Sequence, residues 1–136
     1  MSLLLGIYHR GNRIQAAAVQ PMVDAFARYS TYLNRRDFPG FVLLSVNEME
    51  GETAIASGPG NEQVVGLIGT VVENGDGSLP PADCFHSAWE KRGAGCLAQL
   101  DGAFTAAVYD ADAHRLSLAN DKFGMRPLFF ASNDDY

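Results

Sequence analysis

Candidate nucleophiles in this sequence are Ser2 near the front and the thiols Cys84 and Cys96. A serine is small enough for the initiator Met to be removed before it, and its own freed α-amine would then serve as the base. A hydroxyl without such activation is a weak nucleophile. Cys84 and His86 stand two residues apart in a helical stretch and point to different faces, which argues against a Cys–His pair. His9, His86 and His114 fall on a strand end, a helix and a turn, with no metal-ligand spacing among them. Asp110 and Asp112 flank a turn, which accounts for both without acid–base work. Asp83 suits two roles, a carboxylate for a substrate amine or the N-cap of a helix. Gly69 either lines a pocket or allows close backbone packing inside a strand.

A longer frame lies in the last third of the chain. It runs Leu100-Asp101-Gly102-Ala103-Phe104, then Asn120-Asp121-Lys122-Phe123-Gly124-Met125-Arg126-Pro127-Leu128. The spacing is long and uneven, so chance explains it poorly. It resembles the class II glutamine amidotransferase domain at the front of asparagine synthetases. In that family a Leu-x-Gly-x-Phe strand precedes an Arg-Asp-x-x-Gly-x-x-Pro-Leu turn, and here Asn120 takes the place of the Arg. The resemblance is specific from Gly102 to Phe130, moderate from Gln63 to Leu100 and weak over residues 1–60.

The resemblance implies a chemistry. The family uses an N-terminal cysteine thiolate, its α-amine as proton acceptor, and an Asn-Gly pair as oxyanion hole. An aspartate grips the glutamine α-amine and an arginine the α-carboxylate. Carried over one at a time, the nucleophile slot holds Ser2. The Asn-Gly-Glu strand end aligns with Ile68-Gly69-Thr70, which keeps the glycine and loses the amide. Asp83 fits the substrate aspartate, and Arg36-Asp37-Phe38-Pro39-Gly40 is a distant echo of the family's Arg-Gly-Pro-Asp segment. The chemical positions are altered while the scaffold positions match, and catalytic sets act together rather than additively. The expectation is an amidotransferase-like domain without glutaminase activity. β-Lactam synthetases and lasso-peptide cyclases resemble this arrangement. The alternatives are an active N-terminal-nucleophile amidohydrolase using Ser2 and a non-catalytic protein-interaction domain.

These residues must be carried by short elements. Leu3–Tyr8 reads as a buried strand. Pro21 reads as the first turn of a helix bearing Met22, Phe26, Tyr29 and Leu33, with Arg35 and Arg36 at its negative end. Phe41–Val46, Thr53–Ser57 and Gln63–Val72 read as strands, the last of them central. A helix follows from Pro81–Asp83 to Gly93, then a helical turn at Cys96, Leu97 and Leu100. Ala103–Tyr109 and Arg115–Ala119 form a hairpin around Ala111–His114, whose histidine is expected to be solvated. Pro127–Phe130 opens a further strand. Strands in runs with about two helices indicate an α+β class. The resemblance adds the architecture, a four-layer αββα sandwich of antiparallel sheets of the N-terminal-nucleophile hydrolase type.

The chain has 136 residues, 47% of them hydrophobic, and a net charge of −6. That is one domain, 1–136, able to bury about two-thirds of its unfolded surface. The acidic balance argues against nucleic acid and against a polybasic membrane anchor. With no signal peptide or transmembrane run, the expected compartment is the cytoplasm, where both thiols stay reduced. Family domains run beyond Phe130, so the sequence reads as a C-terminally truncated piece of a larger synthetase. No pyrophosphate loop is present, so no cofactor is expected in this chain. ATP and magnesium belong to the missing synthetase domain, the expected partner on the same polypeptide. Exposed strand edges make a homodimer possible.

Overall fold

The computed structural model describes residues 3–11, 13–28, 32–47, 55–60 and 62–136. Within them lie two antiparallel sheets and two α-helices, an α+β domain. The first sheet has the order β1-β3-β2, from β1 (Leu3–Tyr8), β2 (Tyr32–Phe38) and β3 (Phe41–Asn47). The second has the order β4-β5-β6-β7, from β4 (Ile55–Ser57), β5 (Gln63–Glu73), β6 (Leu100–Asp110) and β7 (Arg115–Asn120). The helices are α1 (Ala16–Ala27) and α2 (Pro81–Arg92).

Strand β3 shows why the layers stack. Its side chains alternate between faces, yet both faces are apolar and buried. Phe41 and Leu43 pack with Val64 and Tyr109 of the second sheet. Val42 and Leu44 pack with Val19 of α1. On the second sheet, Val65, Leu67, Phe104 and Val108 meet Phe85, Ala88 and Trp89 of α2. Each sheet thus shares one apolar face with the other and covers its opposite face with a helix.

Helix α2 ends at Gly93 with φ 55, a positive-φ cap that glycine adopts without penalty. Its N-cap is Pro80, and Asp83 sits in the first turn, where a carboxylate faces the positive end of the helix dipole. The capping role expected of Asp83 is therefore replaced by a first-turn role.

Four expectations are corrected. Helix α1 begins at Ala16, so Pro21 lies inside it. Three alanines with high helix propensity, together with burial of Val19 against β3, outweigh the donor that proline lacks. Leu33, Arg35 and Arg36 belong to β2 and not to the helix; Tyr29 lies outside the described residues. β2 is an edge strand, where charge discourages pairing with other chains. Arg35 forks onto Asp37 there, its Nε 2.8 Å from Oδ2. Leu100 opens β6, while the turn before it is a short 3-10 helix over Gly93–Ala98. Finally, Pro127–Phe130 makes no strand. Proline removes a ladder donor at its start, and the preceding residues are tethered elsewhere, as described below.

His114 is also not solvated. It has φ 46, its ring stacks on Tyr8 with centroids 5.1 Å apart, and its Nε2 lies 3.1 Å from the His9 carbonyl. The Tyr109 hydroxyl is 3.2 Å from its Nδ1. The hairpin tip of the second sheet is thereby fastened to the end of β1.

Candidate functional site

A cavity of about 670 Å³ lies between the sheets. Its walls are Leu3–Gly6 of β1, Leu43 of β3, Ile68 of β5, Thr105–Ala107 of β6, Leu118 of β7 and the segment 126–131. Its volume falls in the range of small-molecule sites, about 300–1,000 Å³. The lining is mostly aliphatic and aromatic. Arg126 is its one charged residue, and Thr105 its one hydroxyl among the described residues.

The segment that closes this cavity is held by Asp121. Its carboxylate is buried, at 5% exposure. Oδ1 accepts N–H bonds from Phe123 and Met125 at 3.0 and 3.1 Å. Oδ2 accepts from Arg126 and Phe104 at 3.2 and 3.3 Å. The Thr105 hydroxyl then donates to the Arg126 carbonyl at 2.9 Å. The aspartate and threonine thus clamp the 121–126 turn onto β6. Burial pushes the Asp121 carboxyl up, but the bonds from Met125, Phe123, Arg126 and Phe104 together outweigh it and hold the group below its ordinary value of 3.8. A depressed value stabilises the fold above the unfolded value, and the contribution is lost as pH falls through the folded one. Asp121→Asn will melt several degrees below the parent at pH 7, and the gap will shrink below about pH 4. Thermal melts of both proteins at pH 7 and pH 3 check this; a gap unchanged by pH would sink it.

Among the described residues, those singled out in the sequence do not converge. Ser2 lies outside the described residues. Gly69 follows Ile68, a wall residue, in β5. It has φ 111, and a Cβ there would stand 3.0 Å from both the Ala103 carbonyl carbon and the Phe104 Cα, and closer still to the Ala103 oxygen. Arg36 is exposed on edge strand β2, opposite Leu43 in register, and does not line the cavity. Asp83 is exposed on α2, the layer over the opposite face of the second sheet.

Three residues near the cavity escaped sequence reasoning. Arg126 stands inside the motif turn, where its charge was the available signal. Thr105 reads as one more strand residue. Ser45 is fully buried on the same strand face as Leu43, and its Oγ has no partner; a lone hydroxyl in an apolar run was its trace.

The thiols are inert by position. Cys84 and Cys96 are free and buried. Burial pushes both thiols up, away from the reactive thiolate. Among the described residues no three His, Cys, Asp or Glu are placed to hold a metal ion, and no helix is long and apolar enough to cross a membrane.

Comparison with known proteins adds kinship to this geometry. The glutamine amidotransferase domain family matches residues 82–136, which include α2, β6, β7 and the Asp121 clamp. Over 40 residues the chain is 42% identical to a protein of Methanocaldococcus jannaschii described as asparagine synthetase [glutamine-hydrolyzing] 1. That stretch is 29% of this chain and 7% of the relative. The resemblance read from the frame at Leu100–Phe130 holds: residues 82–136 match the glutamine amidotransferase domain family, and part of the chain is similar to an asparagine synthetase.

Proposed function

We propose that this chain is the amidotransferase-like front domain of an asparagine synthetase-related, ATP-dependent amidoligase, and that it does not hydrolyse glutamine. The observation that carries the reading is Ile68. The resemblance aligns it with the family's amide donor, and it lines the inter-sheet cavity with an apolar side chain. Loss of one oxyanion donor lowers turnover by about 100- to 1,000-fold. Ser2 in the nucleophile slot would lower it further, because a hydroxyl is harder to activate than a thiol.

The layering of helix, sheet, sheet and helix supports assignment to the N-terminal-nucleophile hydrolase architecture. In this reading the whole protein has a synthetase domain on the same polypeptide. ATP and magnesium act there, and the nitrogen is free ammonia or a substrate amine. The domain is a scaffold against which the synthetase part docks. Its open edge β7 is where a second copy would pair.

The test is glutamate release from glutamine by the full-length natural protein. No release above the uncatalysed background is expected. Turnover near the ordinary enzyme range of about 1–1,000 per second would overturn the reading in favour of an active amidohydrolase.

A further inference from the structure

We propose that the inter-sheet cavity binds a monocarboxylate with an apolar tail, held by Arg126, and rejects α-amino acids. The inference rests on the reading that this cavity no longer hydrolyses glutamine. It adds what the cavity takes instead.

The argument begins with charge. Among the described lining residues there is one cation, Arg126, and no carboxylate. A glutamine would bring a carboxylate, an ammonium and a carboxamide. The carboxylate finds a guanidinium, a pairing that Arg makes with two parallel hydrogen bonds. The ammonium finds no anion, and burying a charge without a partner is costly. The nearest carboxylate along the chain, Asp121, is saturated by four backbone N–H bonds and does not line the cavity. The carboxamide would face Ile68 in place of an amide.

Arg126 is well placed for this task. Its backbone is fixed at both ends, with its N–H on Asp121 and its carbonyl accepting from Thr105. Its side chain has no ion-pair partner among the described residues. The residue lines the cavity and is itself exposed. Behind it Leu4, Leu5, Ile68, Leu118 and Leu128 offer only apolar surface to a tail. Arg36, which the family resemblance nominates for the carboxylate, is absent from these walls.

The experiment titrates the full-length natural protein with octanoate, octanol, leucine and glutamine by calorimetry. Octanoate is expected to bind saturably, about tenfold or more tighter than the other three. Arg126→Gln should weaken octanoate about tenfold and leave octanol unchanged. Arg126→Lys should lose less than Arg126→Gln, because it keeps the charge and gives up the fork. Both variants retain the backbone bonds of residue 126, and an unshifted melting curve verifies the fold. Absence of saturable octanoate binding, octanoate affinity indifferent to Arg126→Gln, or leucine binding as tightly as octanoate would each overturn the proposal. Glutamate release is measured on the same preparation. Release together with octanoate selectivity defeats the non-hydrolytic reading alone. No release and no octanoate binding defeats the carboxylate proposal alone.

Discussion

Gly69→Ala will destabilise this domain by about 2–6 kcal/mol, the sum of about 1–3 for a strained backbone and about 1–3 for overpacking. Two independent effects act at the position. The residue has φ 111, a conformation that L side chains rarely adopt. A methyl there would also press into the Ala103 carbonyl across the β5–β6 ladder, and that obstacle is backbone, which cannot rotate aside. The total is a large share of a typical domain stability of about 5–15 kcal/mol. Gly102 provides the control. It pairs with Val71 on the same ladder with φ 134, and a Cβ there would meet the Thr70 carbonyl in the same way. If Gly69 serves the ladder, Gly102→Ala costs as much, although Gly102 has no counterpart in the family's chemical set. Urea unfolding of both variants measures this. A Gly69→Ala protein as stable as the parent would show that the strand can relax and that the glycine answers to something else.

Phe85→Ala should cost about 3–5 kcal/mol, the usual range for removing a core aromatic. Phe85 is 0% exposed. Its ring stacks on Trp89 at 5.7 Å and meets Phe104 edge-on at 5.6 Å, so it joins α2 to β6. The cavity left behind would be enclosed by a helix and a sheet, neither free to collapse into it. Phe129, 89% exposed, is the comparison; its replacement by alanine should change stability by less than about 0.5 kcal/mol. Equal losses at the two sites would mean that the α2 layer is not the core of this domain.

The elements that were legible in the sequence are those whose apolar runs end in turn residues. β5, the β6–β7 hairpin and α2 follow from β-branched runs, from Pro81 and from Gly93. The frame from Leu100 to Phe130 also named the family, because its glycine, aspartate and proline each meet a local backbone demand. α1 and β2 were harder. Met22, Phe26 and Leu33 fit a single helical stripe, yet Leu33 pairs with Val46 in a sheet. Periodicity describes one element at a time and is blind to an available partner strand.

The site divides along the same line. Residue types alone carry the expectation that Ser2 and Ile68 stand where the family has its cysteine and its amide donor, since chemistry depends on which atoms are present. Tertiary structure alone decided which groups share a cavity. Asp83 rides on α2 behind the second sheet, Arg36 stands on an edge strand, and Arg126 reaches the cavity because Asp121 folds its turn back onto β6. The physical reason is that a strand residue's surroundings are set by the sheets stacked on either side of it. Those contacts join residues more than 60 positions apart, such as Phe41 and Tyr109, whose ring centroids are 4.8 Å apart and which no local pattern links.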